Sequence, residues 1–476
     1  MLATGIRQFR MAMGMVWGRR LNTRGIARLV DDALATLAEF GEPGADAQQL
    51  LDGPLADPAA RKDFADHGVR RTAIRLAARS PFYARRFAAA EVRADELDAA
   101  GLGAIPVTVK RDLIERQDDF QCAGVPRHLT TRTTGTTGRP AEIWLSRYEL
   151  ELWAGLGSLA GVLRGEIGPD DILQVSISSR STGAVQLDVA CCNLVGAGCR
   201  VLGIVPPDEA LDNLAAGGAT LLATNPSYLA ELETAARRRG MGPDDFRLRR
   251  IDVGGEVLSP NLAAAAREMF GTDNIRDVFA MTEVVPVSGR TCGQGHLHHD
   301  INMGLVEYLD LDTGEPAAPG ALATVVVSPY YPYRECMPVF RYDTRDVVRC
   351  LPEEALTCEV AALPGTGPIV GKADQLLRLG PADIVTPRQL IEAIEALPAR
   401  PWPARYRADI HDGRLRLTLP ASAIAGLGET EAARHFADRG IDADLAFVGD
   451  EAAHSLRRVR SDLHETTFFA PTLIGA

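Results

Sequence analysis

Lysine is almost missing from this chain. Of its 51 basic residues only Lys62, Lys110 and Lys372 are lysines. Codon bias explains the shortage most simply, because Arg and Ala are abundant throughout, but any chemistry that needs an ammonium group has three candidates to draw on. An excess of positive charge is also lacking: 51 Lys+Arg stand against 63 Asp+Glu, a formal net charge of −12, which argues against a general nucleic-acid binder. No run approaches the ~18–20 apolar residues of a membrane span. The Arg-bearing N-terminus has only a short uncharged stretch, Met11–Gly18, with no small-residue cleavage pattern, and does not read as a secretory signal. Eight cysteines in a long chain of this kind do not suggest a disulfide framework. Reduced thiols, some of them on metal, in a cytoplasmic protein are the expectation.

What is present points to a large α/β protein. The 476 residues are about three to four times the usual domain length. Residues 1–100 read mostly helical, with Ile26, Leu29, Val30, Ala33, Leu34 and Leu37 at helical spacing. Arg7, Arg10, Arg19 and Arg20 read as a solvated helix face rather than a membrane surface. Pro43–Pro58 is a Gly/Pro/Asp-rich loop. From about 100 to 370, short β-rich runs (Asp171–Ile177, Arg200–Val205, Ala219–Ala223, Arg250–Val253, Arg276–Phe279, Ala323–Ser328) alternate with helical stretches such as Ser227–Arg239 and Asn261–Phe270. That alternation argues for α/β layers. After the Gly/Pro loop at Gly365–Pro368, a further unit of about 100 residues combines a helix at Gln389–Leu397 with a strand at Arg414–Leu419. The expected division is a large domain over 1–370 and a small α+β domain over 371–476.

The most informative stretch is Thr130–Pro140, rich in threonine and glycine. Hydroxyls and unobstructed backbone N–H groups in such a loop can wrap phosphate oxygens. It lacks the Gly-Lys-Ser/Thr ending of the common P-loop. Gly254-Gly255-Glu256 follows a short apolar strand, so a side-chain-free turn can lie against a purine ring. Phe279-Ala280-Met281-Thr282-Glu283 sets an aromatic, a hydroxyl and a carboxylate at another strand end, and the carboxylate suits Mg²⁺. Phe340–Asp346 ends in an Asp able to accept both ribose hydroxyls. Gly371-Lys372-Ala373-Asp374 lies where a small domain would hinge.

These five segments resemble, in order, the signature motifs of the adenylate-forming superfamily (acyl-CoA synthetases, luciferases, adenylation domains). The resemblance is best to its phenylacetate–CoA ligase-like branch, which also shows segments similar to Ser80–Arg85 (SPFYAR) and Pro106–Leu113 (PVTVKRDL). It spans roughly residues 70–400. It implies a multi-layer N-terminal domain of the adenylate-forming type, a small mobile C-terminal domain, and activation of a carboxylic acid by ATP. Acyl-AMP and pyrophosphate form first; the acyl group then passes to CoA, a carrier thiol or an amine. Thr133, Thr134, Gly135, Thr136, Thr137 and Gly138 would hold the ATP phosphates. Gly255 and Glu256 would line the adenine with Phe279 at its edge, and Thr282 would contact the α-phosphate. Glu283 would bind Mg²⁺, Asp346 the ribose, and Lys372 would stand at the nucleotide from the hinge. Tyr228 falls where the family builds its acid pocket. A homodimer stays open, and neither nucleic acid nor membrane is an expected partner.

Three departures stand out. Arg345 replaces the glycine of the family's ribose motif, and Lys372 stands where arginine is usual. Members of the family typically carry a C-terminal lysine that bridges substrate carboxylate and ATP; here no lysine follows Lys372. Losing one such donor costs about 3–4 kcal/mol, or about 10²–10³ in rate. Either Arg458 or Arg460 substitutes, or adenylation is slow, or the chain has become a nucleotide- or acyl-AMP-binding protein. Adenylation is the leading expectation, since every nucleotide-side motif is kept. Separately, Cys292 is followed by histidines four and six residues on, with Cys336, Cys350 and Cys358 downstream. Such soft ligands suit a structural, tetrahedral Zn²⁺. The branch pattern maps onto Cys292, His298 and Cys358, completed by Cys336 or Cys350, with His296 an equally legal ligand by spacing.

Overall fold

Apolar residues at helical spacing build the N-terminal region as expected. The computed structural model describes residues 2–17, 19–41, 55–132, 141–178, 182–380 and 383–449. Helices α1 (Leu2–Trp17), α2 (Thr23–Phe40), α3 (Pro58–Arg79) and α4 (Pro81–Ala89) come first. In α2 the Asn22 side chain caps the helix by accepting from Gly25 N, and Ile26, Leu29 and Val30 form the buried face. Short helices α5 (Lys110–Glu115) and α6 (Gln117–Phe120) follow, then the antiparallel pair β1 (Leu129–Arg132) and β2 (Glu142–Leu145).

The central sheet has seven strands: β3 (Ile172–Ser176), β4 (Gly198–Val201), β5 (Leu221–Thr224), β6 (Arg250–Gly254), β7 (Ile275–Phe279), β8 (Gly289–Thr291) and β9 (Leu297–His299). Their spatial order is β4-β3-β5-β6-β7-β8-β9, the first five parallel and the last two antiparallel. Helix α7 (Arg147–Leu163) precedes the sheet; α8 (Thr182–Val195), α9 (Pro207–Gly217), α10 (Pro226–Arg238) and α11 (Pro260–Phe270) connect its strands. Leu222, Ile251 and Val253 on one face share a cluster with Leu211, Leu229 and Ala266 from α9, α10 and α11. Leu173, Val175 and Leu221 on the other face pack with Cys192 of α8. The strand order therefore reverses between β3 and β5, and in sheets of this kind ligands bind beyond the carboxyl ends of the strands at that point.

A second, antiparallel sheet runs β10 (Gly304–Asp310), β11 (Leu322–Pro329), β12 (Tyr342–Arg349) and β13 (Gly371–Lys372). Val325, Val327 and Val348 join Val69, Leu76, Phe82 and Tyr83 of α3 and α4 in the largest apolar cluster. The C-terminal part holds β14 (Leu377–Arg378), β15 (Ile384–Val385), α12 (Pro387–Glu395), β16 (Arg407–His411), β17 (Arg414–Pro420), α13 (Glu429–Ala437) and β18 (Ala443–Val448). Its cluster, from Leu377 to Ile441, also takes in Val257. Helix α12 starts with Thr386 capping Gln389 and Pro387 in the first turn, then buries Leu390, Ile391 and Ile394. Each such side chain contributes about 1.5–3 kcal/mol of burial. The class is α/β with a smaller α+β C-terminal part, as expected. No helix among the described residues is long and apolar enough to cross a membrane.

Candidate active site

The carboxyl end of β6 turns at Gly254-Gly255. A Cβ on Gly254 would lie 2.7 Å from the Val278 carbonyl oxygen, and Gly255 has φ +82°, so both positions call for glycine. Asn225 Nδ2 donates to Gly254 O at 2.7 Å, and Ser227 N donates to Glu256 Oε2 at 2.9 Å. Glu256 thus holds the first turn of α10 while Gly255 stays exposed beside it. Tyr228, expected at the acid pocket, is buried in the α9–α11 cluster, and its hydroxyl donates to Val205 O at 2.6 Å. The structure gives this side chain a packing role and does not bring it to the site.

The turn after β7 carries Thr282 and Glu283. Phe279 is buried edge-on to His299, 5.0 Å between ring centroids at 78°. Glu283 is buried, and Tyr342 Oη donates to its Oε1 at 3.4 Å. The fully buried Arg334 pairs with Glu149 at 3.7 Å and donates to the carbonyls of Val285 and Met337, with Glu283 within electrostatic range. On β12, Asp346 pairs with Lys372 of β13, whose Nζ lies 2.9 Å from Asp346 Oδ1 and 3.0 Å from Thr344 O. Burial raises the Asp346 carboxyl above its ordinary range, and Lys372 opposes that rise. Arg345, in place of the family's glycine, has φ +62°, the left-handed region. An arginine thus stands in a conformation that favours glycine, which costs about 1–2 kcal/mol.

Lys110 lies in the Pro106–Leu113 segment, whose sequence alone assigns it no role; in the structure it stands near this centre. Thr108 N donates to Arg341 O at 2.6 Å and Asp343 N to Thr108 O at 2.9 Å, so the segment before α5 is stitched to β12. Lys110, first residue of α5, is half-buried within electrostatic range of Glu283 and Lys372. Burial pushes its pKa down, Glu283 opposes the shift, and Lys372 adds to it. Among the described residues no hydrogen bond or ion pair reaches its ammonium. Two of the three lysines therefore meet at the Glu283–Asp346 centre. The third, Lys62, is an exposed partner of Asp66 on α3.

The cysteine–histidine reading needs one correction. The ligand atoms of Cys292, His296, His298 and Cys358 lie within 4.8 Å of one another. Cys336 is not among them: it is buried in the main apolar cluster, its carbonyl accepting from Cys122 N at 2.8 Å. Cys350, the other option, pairs by its backbone with Thr366 outside the group. His296 takes the fourth place because the turn at Gly295, φ +80°, brings it back over Cys292, whose Sγ accepts from His296 N at 3.3 Å. His298 Nδ1 meets Pro364 O at 3.1 Å, which leaves Nε2 facing Cys358 Sγ at 3.4 Å. A tetrahedral zinc with ordinary bond lengths sets S and N about 3.6 Å apart. His296 Nδ1 is buried without a hydrogen-bond partner, and burial holds the His298 pKa below its ordinary value. Two thiols and two imidazoles in this arrangement fit Zn²⁺, with Pro364 O orienting one ring. Thr133–Gly138, Arg458 and Arg460 lie outside the described residues, as does most of the Pro43–Pro58 loop.

No protein-family model matches the chain. A phenylacetate–coenzyme A ligase of Pseudomonas putida is 25% identical over 332 residues, 66% of this chain and 71% of that protein. Another from Thermus thermophilus is 26% identical over 347 residues, 67% of this chain and 72% of that one. Among solved structures, a 2-hydroxyisobutyryl-CoA ligase superposes with a TM-score of 0.71 at 19% identity, covering 86% of this chain and 92% of that one. This last likeness is one of fold. With the motifs in the expected order on that fold, the chain is similar in sequence to phenylacetate–CoA ligases and shares the fold of the 2-hydroxyisobutyryl-CoA ligase.

Proposed function

We propose that this chain is an AMP-forming acid ligase: a carboxylate attacks the α-phosphorus of ATP, the bond to the pyrophosphate leaving group breaks, and the resulting acyl-AMP passes its acyl group to a thiol. CoA is the thiol favoured here, because the relatives matched over two thirds of the chain are named as CoA ligases. The observation that carries the reading is the convergence of Glu283 in the turn after β7, the Asp346–Lys372 pair of β12 and β13, and Lys110 at the start of α5. Both reactants are anions, so catalysis is chiefly positioning and charge neutralisation.

The roles follow from the surroundings. Asp346, held in place by Lys372, is set to take the ribose hydroxyls. Glu283 is the carboxylate for Mg²⁺, which prefers oxygen ligands and substrate phosphates; its Oε1 is anchored by Tyr342. When bound, Mg²⁺ neutralises phosphate charge. Lys110 supplies the second positive charge, from a half-buried position within electrostatic range of Glu283 and Lys372. That assigns to the N-terminal region the ammonium that the C-terminal tail lacks. Thr133–Gly138 complete the phosphate site, and the double substitution of Arg458 and Arg460 to alanine tests whether the tail adds to the charge that Lys110 supplies. The unit from 371 onward is the small mobile domain, hinged at Lys372. Zn²⁺ on Cys292, His296, His298 and Cys358 is structural, since all four positions are protein ligands.

The test is pyrophosphate release by the purified chain with ATP, Mg²⁺ and a panel of aromatic, aliphatic and amino acids, with CoA or hydroxylamine as acceptor. Acid-dependent release followed by CoA-dependent thioester supports the reading. ATP binding without release under any acid supports a nucleotide-binding protein instead.

A further inference from the structure

The crevice between α8 and the central sheet bears on which acid is used. On α8, Val185, Asp188, Cys192 and Val195 form one stripe at helical spacing. Val185 and Cys192 pack on Leu173 and Val175, so the stripe faces the sheet, and Asp188 sits within it. Opposite lies a row of register partners, Val175, Ala223, Asp252 and Arg276, whose side chains share one face. The face is apolar on β3 and β5 and turns charged on β6 and β7. Only Cys192 and Val195 of α8 are buried, so its first two turns stand over a crevice that reaches solvent.

The charged groups there are paired, with one exception. Arg250 Nε lies 3.0 Å from Asp252 Oδ2, and Glu166 Oε1 lies 2.7 Å from Arg276 and 3.6 Å from Arg290. Among the described residues no hydrogen bond or ion pair reaches the Asp188 carboxyl. Burial pushes its pKa up to about 7, the Asp252 carboxylate adds to the rise, and Arg250 opposes it. The Asp188 oxygens are not among the buried unpartnered groups, so water reaches them in the crevice. An apolar ligand that displaced that water would leave the carboxyl unpaired at a cost, and such groups in clefts mark binding sites. One row further along the strands, Gly254 pairs with Val278. That row is about 7 Å away and leads directly into Gly255 and the Glu283 turn. Asp188 therefore lies below the place where the activated carboxylate must sit, on the side of the strand-order reversal.

We infer that Asp188 is the specificity-determining residue of the acid pocket, and that the acid taken carries a hydrogen-bond-donating substituent, hydroxyl or amino, remote from its carboxylate. This rests on the ligase reading. An apolar ring alone would leave Asp188 unpaired; a donor group completes it. With Arg250, Arg276 and Arg290 nearby, a neutral donor satisfies Asp188 as well as a cation does.

The experiment compares matched acids, phenylacetate against its 4-hydroxy and 4-aminomethyl derivatives, by pyrophosphate release and by thermal shift of the ATP-saturated chain. The donor-bearing acids exceed the parent in kcat/KM by tenfold or more, since a site built around a polar group discriminates strongly against its absence. Asp188→Leu reverses that order. Asp188→Asn, nearly isosteric, keeps the hydroxy acid and loses the cationic one if a cation is the natural group, and keeps both at reduced rate if a neutral donor is. Parent and derivatives used equally, or a ratio untouched by Asp188→Leu, overturns the inference. Donor-bearing acids that shift the melting temperature without releasing pyrophosphate overturn the ligase reading and uphold the pocket; acids that shift nothing overturn the pocket.

Discussion

Replacing Lys110 with methionine separates a catalytic ammonium from a structural one. The side chain is half-buried, faces Glu283 and Lys372, and has no hydrogen-bond partner among the described residues. Its pKa is lowered chiefly by burial, so at neutral pH the fold bears a cost for keeping it charged. Methionine fills a similar volume without that cost, so the melting temperature of Lys110→Met holds or rises. Activity moves the other way. Removing one positioned donor from a transition state that gathers anionic charge costs about 3–4 kcal/mol, or about 10²–10³ in rate. Acid-dependent pyrophosphate release, with kcat and KM separated, reads this out: kcat and kcat/KM fall together if the charge acts in the transition state. Lys62→Met is the control, because that lysine forms an exposed, solvent-screened pair with Asp66. A Lys110→Met protein that keeps its rate within about threefold refutes the role. One that loses activity only together with its fold refutes the reasoning about burial.

Other consequences follow from the same geometry. Cys292→Ser and Cys358→Ser lose stoichiometric zinc by elemental analysis, whereas Cys336→Ala keeps it; zinc retained by the first two disproves the ligand set. Arg345→Val, forced to φ +62°, destabilises the chain by about 1–2 kcal/mol in chemical denaturation, and Arg345→Gly does not, its ion pair with Asp343 being long at 3.8 Å. Asp188→Asn stabilises the chain at pH 8 and not near pH 4. A carboxyl whose folded pKa rises from 3.8 to about 7 makes the native state take up protons relative to the unfolded chain, so stability is lost as pH climbs through that window. The gain at pH 8 is on the order of 2 kcal/mol after solvent screening, and a gain equal at both pH values contradicts it.

Periodicity made most of the scaffold legible. The strand expected at Asp171–Ile177 is β3 at Ile172–Ser176, and the helix expected at Ser227–Arg239 is α10 at Pro226–Arg238. Parallel strands buried on both faces read as short apolar runs, and their flanking Pro, Asn and Gly mark the ends. The run at Arg200–Val205 overshot, since β4 ends at Val201; Leu202 N and Gly203 N both turn onto the single Val175 carbonyl, which ends the regular ladder. The order of motifs pointed to Glu283, in the turn after β7, and to Asp346, inside β12 opposite Lys372, because each lies in a short motif of contiguous residues. Contacts between distant segments were not legible. Lys110 reaches Glu283 only because Thr108 pairs with β12, more than 230 residues away. His296 rather than Cys336 completes the cysteine–histidine group because a left-handed glycine folds the turn back, and a thiol that spacing allowed is buried in the core. Asp188 carries no motif; it is visible only against the row of side chains that it faces.

The most direct measurement is isotope exchange between pyrophosphate and ATP in the absence of any acceptor. An adenylating enzyme returns labelled pyrophosphate to ATP only when a suitable acid is present, and Lys110→Met suppresses that exchange by about 10²–10³. Exchange that needs no acid, or none with any acid while ATP still binds, contradicts acyl-AMP formation by this chain.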